Sequence, residues 1–418
     1  MAEKIFDNIY DAWNYIRQQE IQAYNADPRF HNPPMVVKVN PMSPLPTVMT
    51  VDNIDYPLNG YFNNAAPDQF VMSRLGSGRY SLKPNLCRRK FLFRGQTQFY
   101  DPCLTNLNRQ DHYYVEECML RDEMVLLMLS HPLVQLLDQG IVIDGRKVSF
   151  EMNLYGLTQH YYNKTSLLDL TTSPEVASFF ATSRYNSDDT YSPITDDGGI
   201  GVLYYYELDI AKDFKPAQLT SDHRVTTIGL QVFPRSGRQY GILCEMDKMG
   251  NFNQLDQVKY VKFKQNATIS KTIFDNMESG KRLFPEDILS KHWTANYVGK
   301  KKLSLQSLRL NQKNNSDKTF EELKQMMEEK EYSFEEYQPQ FTPEEIAEYF
   351  QEIQNGYWEH FCQKIFIPGD KDGSFIRQLY QVRFNPDYRW AFEPNIPHQL
   401  NLNEGFVIRH YAPFLQLP

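Results

Sequence analysis

The stretch from 202 to 263 constrains the fold most. Val202-Leu203-Tyr204-Tyr205-Tyr206-Glu207-Leu208 is a run of β-branched and aromatic residues, and further strand-like runs follow at 226–232, 241–246 and 258–263, with short turns between. Parallel strands need a crossover of a dozen or more residues, usually helical. The runs therefore predict a mainly antiparallel cluster. Upstream the signals are helical. Ile5, Ile9, Trp13 and Ile16 share one face of a helix over 4–24. A long helix is expected over 115–137, with Cys118, Met119, Val125, Leu126 and Leu129 inward and Glu116, Glu117, Arg121 and Glu123 toward water. Another runs over 151–161. Ser173-Pro174-Glu175 combines a cap, a first-turn proline and an acid at the positive end of the helix dipole. Helices followed by a strand cluster read as α+β.

The remaining text is read more coarsely. Residues 52–84, rich in Gly, Asn and Pro, read as a loop-dominated approach to the strand Lys90-Phe91-Leu92-Phe93-Arg94. Residues 26–47 read as irregular apart from a short strand at 35–39, and 186–199 and 311–318 as polar loops. After about 270 helices dominate, near 285–297, 319–331 and 343–364, before a mixed tail from Phe375. Thr319 with Glu322 and Thr342 with Glu345 fit capping boxes. With 418 residues the chain is too long for one core. The expected division is a lead-in over 1–84, an α+β domain over 85–268 and a mostly helical region over 269–418.

A net charge of −8 argues against a protein that coats nucleic acid. Five cysteines without a C-x-x-C pair give no disulfide framework and no cysteine-based zinc site, and no metal is expected. No basic start leads into an apolar segment, and no run of about 18 apolar residues occurs, so a cytoplasmic protein without a membrane span is expected. Gly198-Gly199-Ile200-Gly201 precedes a strand rather than a helix and is a turn, not a phosphate loop.

Three blocks carry a family resemblance. The first is Phe91-Leu92-Phe93-Arg94-Gly95-Gln96. The second is Gln159-His160-Tyr161-Tyr162-Asn163-Lys164-Thr165-Ser166-Leu167-Leu168-Asp169-Leu170-Thr171, followed by Ser173-Pro174 and Phe180-Ala181. The third is Arg235, Gln239 and Gly241 before a strand. In order and separation they resemble the FRG-domain family, over roughly 85–265. Tyr162-Asn163-Lys164 stands where the family has Gly-Leu-Pro, Ser166 where it has Arg, and Leu170 where it has Trp. The FRG layout is in turn similar to the ADP-ribosyltransferase fold, an analogy of fold rather than of function.

The resemblance implies an NAD-dependent, ADP-ribosyltransferase-like effector of toxin or defence type acting on a macromolecule, protein or nucleic acid. The alternative is a non-catalytic module that holds a nucleotide or nucleic-acid end in the same pocket. On the first reading Arg94, His160, Gln239 and Glu245 are the catalytic candidates. NAD would be held by Arg94, Gly95, Gln96, Thr165, Asp169, Thr171, Ser173 and Arg235. A planar guanidinium on a strand can hold phosphate or ribose through two hydrogen bonds; equally, Arg94 can pair with a buried carboxylate such as Asp169. Gly95 would let backbone approach the ligand. His160 can act as acid or base near neutral pH or serve as a buried donor. Ser173 can face an anion or simply cap its helix. Gln239 cannot be a base, so Glu245 or Glu207 would have to supply one. Asp169, between two leucines, needs a partner, for which Arg94 or Arg235 is expected.

Overall fold

In the computed structural model the described residues are 4–26, 36–39, 46–51, 54–57, 69–76, 79–84, 89–109, 114–131, 134, 137–138, 141–143, 146–161, 164–186, 190–208, 223–228, 233–246, 250–285, 287–314, 317–337, 341–342, 344–345 and 362–367. They form an α+β fold around a seven-stranded sheet. Its strands are β1 (Ile5–Phe6), β2 (Phe91–Gln96), β3 (Leu167–Thr171), β4 (Ile200–Glu207), β5 (His223–Thr227), β6 (Gly241–Met246) and β7 (Val258–Lys264). They lie in the order β1-β7-β4-β2-β3-β6-β5, and all neighbours are antiparallel except β1 and β7.

The helices are α1 (Ile9–Ala26), α2 (Tyr114–Ser130), α3 (Leu154–Gln159), α4 (Pro174–Thr182), α5 (Pro234–Arg238), α6 (Ala267–Asn276), α7 (Ile288–Asn296), α8 (Leu305–Asn314) and α9 (Phe320–Glu328). Period-two alternation sends the sheet's side chains to two faces. On one face Phe91, Phe93, Leu203, Tyr205 and Phe263 pack under α1 and α4. On the other, Leu92, Leu168, Leu170, Tyr204, Tyr206, Ile242 and Cys244 pack with Cys103 and Phe252. Trp13 anchors α1: its indole stands edge-on to Phe93 at 5.0 Å and donates to Ser178 Oγ at 2.7 Å.

Several readings change. The first helix starts at Ile9 because Asn8 Oδ1 accepts from Tyr10 N and Asp11 N, leaving Ile5–Phe6 free to pair with β7. The stretch read as a loop before residue 84 holds strands at Ile54–Pro57, Phe70–Gly76 and Arg79–Pro84, the middle one paired in parallel with Ile365–Phe366. That partner lies almost three hundred residues away, so no local signal announces it. Leu167–Thr171, given no secondary structure from the sequence, is a strand held between β2 and β6. Tyr191–Pro193 pairs with Ser183–Tyr185 inside the expected 186–199 loop.

Asn311–Asn314 complete helix α8, in which Leu308, Leu310 and Asn311 are buried. Glu116 and Glu123 of α2 are buried rather than hydrated because residues 301–332 cover them, and Arg121 because it lies over the Tyr155 ring and pairs with Asp122. Both capping boxes form, at Thr319–Glu322 and Thr342–Glu345. Most of the helix expected over 343–364, and the tail from 375, lie outside the described residues. Among the described residues no helix is long and apolar enough to cross a membrane.

Candidate functional site

The sheet is least continuous at its centre. Strand β2 pairs with β4 through six residues but with β3 at one position only, Phe93 with Thr171. Continuing that register would set Leu170 against Arg94 and Asp169 against Gly95. Instead the Arg94 guanidinium enters the seam and its Nη1 donates to Asp169 O at 2.8 Å. A cavity of about 180 Å³ opens there. Arg94, Gly95, His160, Asp169, Thr171, Gln239 and Gly241 line it on the polar side, and Val176, Phe180 and Tyr191 are among its apolar walls.

Each polar wall residue is set by a local device. Asn153 caps α3 by accepting from Gly156 N, and His160 is the residue that ends the helix. Its ring fits because Gly241 has no Cβ, which would stand 3.3 Å from both Cε1 and Nε2. His160 Nδ1 meets Gln239 Oε1 at 2.9 Å, and Gln239 Nε2 donates to Leu283 O at 3.1 Å. Burial above all lowers the His160 pKa, and Arg235 adds to this against the opposing pull of Asp169 and Gln239. Asp169 Oδ2 accepts from Gln159 Nε2 at 2.9 Å. Gln159 Oε1 in turn accepts from Thr165 Oγ1 at 2.5 Å, and Thr165 Oγ1 accepts from Leu167 N. Asp169 Oδ1 stands 3.7 Å from His160 Nε2, beyond hydrogen-bond reach.

The structure sorts the sequence candidates. Arg94, Gly95, His160, Asp169, Thr171 and Gln239 meet at the cavity, whereas Gln96, Thr165, Ser173, Arg235 and Glu245 are not among its lining residues. Glu245 shares the Asp169 face but pairs with Leu167, four residues along β6 from Gly241, or about 13 Å at the rise of a strand. The available carboxylate is therefore Asp169. The Asp169 carboxylate takes neither expected arginine: its hydrogen-bond partner is Gln159, His160 stands 3.7 Å away, and Arg94 bonds its main chain. Gly95 serves close packing: a Cβ there would lie 1.8 Å from Ala177 O, so α4 rests directly on β2.

Ser173 caps α4 through Val176 N. Thr171 Oγ1 is committed to Gln239 O and Ser173 N. Gln96 is turned to Cys103. Arg235 is buried behind the site, donating to His160 O and lying over the Tyr161 ring. Thr165 acts one step back, through Gln159, to set Asp169. Gln159, to which the sequence assigns no role, is signalled only by its position beside His160. Tyr191, in a segment read as loop, stacks on Phe284 at 5.1 Å.

Residues 89–190 match the family model described as FRG domain. The chain carries an FRG domain. No curated protein and no solved structure matches the chain. The matched stretch of the FRG domain supplies Arg94, His160 and Asp169, whereas Gln239 and Gly241, which complete the cavity, follow it. A larger cavity of about 340 Å³, lined by Tyr297, Lys300, Lys302 and Glu335, has the buried Glu123 in its wall. That carboxylate is already bonded by Ser304 N and Tyr297 Oη, so the FRG cavity is the better candidate.

Proposed function

We propose that the FRG domain is an ADP-ribosyltransferase-like enzyme that uses NAD as glycosyl donor and modifies a macromolecule. One observation carries this reading: Arg94, His160, Asp169 and Gln239, far apart in the chain, line a single cavity. In such a reaction the C1′–N bond breaks and its electron pair neutralises the departing pyridinium. An oxygen or nitrogen of the acceptor attacks the oxocarbenium-like ribose, and the acceptor's proton leaves. Arg94 is suited to the phosphate or ribose. Asp169 supplies negative charge for the developing cation. His160, kept neutral by burial, offers a lone pair for the proton.

The cavity is smaller than the ~300–1,000 Å³ of drug-sized sites. It suits one ring of the dinucleotide, with the rest beyond its mouth.

The test is release of labelled nicotinamide from NAD by wild type and Arg94→Ala. Release that falls at least about 100-fold in the variant supports the reading; no release from wild type removes it. The second reading, binding without turnover, is favoured by the distance of Glu245 and the committed hydroxyl of Thr171. It predicts NAD or nucleotide binding with no release.

A further inference from the structure

The cavity's polar walls are more selective than its shape. His160 Nε2 and Asp169 Oδ1 are buried and have no hydrogen-bond partner among the described residues. The character of each is set from behind. Leu283 O can only accept, so Gln239 turns its amide nitrogen to it and its oxygen to His160. His160 Nδ1 therefore carries a proton, and in the neutral ring Nε2 is a lone pair. The Thr165–Gln159 relay holds Oδ2 of Asp169 and leaves Oδ1 facing Nε2. Two acceptors thus stand 3.7 Å apart with no hydrogen between them.

One hydroxyl brings one hydrogen and satisfies one acceptor. A planar –NH₂ brings two and can bridge both. Water can bridge them too, so the walls decide: Phe180 and Tyr191 favour a flat ring. Arg94, bonded to Asp169 O through Nη1, has an unpartnered Nε and supplies a donor beside the acceptor pair.

We propose that this cavity is a subsite for a planar ring whose edge carries an –NH₂ group next to an acceptor. The –NH₂ bridges His160 Nε2 and Asp169 Oδ1, and Arg94 donates to the neighbouring acceptor. The carboxamide of nicotinamide and the amidine edge of adenine share this chemistry. The inference deepens the transferase reading and rests on it only in taking the same cavity as the ligand site. A carboxamide would make the subsite the seat of the leaving ring, with His160 Nε2 free to take the acceptor's proton once that ring has left. An amidine edge would make it the seat of a base whose amino group faces His160.

The experiment is calorimetric titration of the full chain with four free rings: nicotinamide, nicotinic acid, adenine and hypoxanthine. In each pair the second member puts an oxygen where the first has –NH₂. The amino-bearing member of at least one pair should bind about 100-fold more tightly, since a site built around a hydrogen bond rejects the analogue lacking it. Selectivity within the first pair assigns the carboxamide; selectivity within the second assigns the base edge. Equal affinities within both pairs, preference for the oxygen-bearing member, or no binding of any ring overturns the proposal.

Asp169→Asn should narrow the preference at least tenfold, about 1.4 kcal/mol. Gln159 retains the new amide's oxygen and its –NH₂ turns to the cavity. An unchanged preference overturns the proposal.

If that variant does not fold, wild type is titrated at falling pH. Below the His160 pKa, which burial lowers, Nε2 carries a proton and no longer accepts, and affinity for the amino ring should drop about tenfold per pH unit. A pH-independent preference overturns the proposal. None of these measurements needs turnover, so a chain that selects the ring but releases no nicotinamide keeps this inference and loses the transferase reading.

Discussion

Two carboxylates, Glu116 on α2 and the half-exposed Asp169 on β3, are treated differently. Glu116 on α2 is saturated: Lys301 and Tyr332 reach Oε1 at 3.0 and 2.7 Å, and Lys330 reaches Oε2 at 2.9 Å. Burial by itself would raise its pKa, but hydrogen bonds from Tyr332, Lys330 and Lys301 outweigh that and hold it at about 2. Asp169 has one oxygen held by Gln159 and the other bare beside a bare imidazole nitrogen. A carboxylate that staples chain segments together has both oxygens bonded by the chain. One that leaves a buried lone pair facing a cavity keeps a place for something the chain does not itself supply.

Substitutions at three positions sharpen that contrast. The largest effect is expected for Glu116→Ala, which leaves the buried Tyr332 phenol without its acceptor and two partly exposed ammonium groups without their counter-ion; urea unfolding should show a loss of about 3 to 4 kcal/mol. Its pH signature has a definite sign. The folded pKa is depressed, so the stabilisation is present above the ordinary carboxylate value and is lost as pH falls toward about 2. Glu116→Gln should flatten that acid limb; an unchanged limb would remove Glu116 as its source.

Next comes Gly95→Ala. The added methyl would overlap Ala177 O, and α4 must lift from β2 at a cost of about 3 kcal/mol. Thermal unfolding measures the cost, and a neutral result would show that the helix can move without penalty.

The smallest stability change is expected for Asp169→Asn. Oδ1 carries no internal bond, and the amide can keep the bond from Gln159, so chemical denaturation should move by less than about 0.5 kcal/mol. A loss comparable to Glu116→Ala would place Asp169 with the structural carboxylates and dissolve the distinction.

Much of the site could be read in the sequence, because motif residues sit at the ends of locally encoded elements. Arg94 is on a recognisable strand, His160 ends a short helix, and Ser173-Pro174-Glu175 starts one as its capping chemistry requires. The roles of Gly95, Thr165 and Arg235 could not be read. Each depends on which group lies opposite: the Ala177 backbone for Gly95, the Gln159 amide for Thr165, the Tyr161 ring for Arg235. The acidic face of α2 misled for the same reason, since its cover comes from residues about two hundred positions later.

By itself the sequence determined the local conformations: the strand runs, the capped helix starts, and the set of side chains able to do chemistry. These follow from backbone propensity and short-range hydrogen bonds, which act within a few residues. Only the tertiary structure decided that Asp169 rather than Glu245 meets His160. That choice rests on strand register and on the break in pairing between β2 and β3, both set by long-range packing in which one strand position moves a carboxylate by about 3.3 Å and turns it to the opposite face.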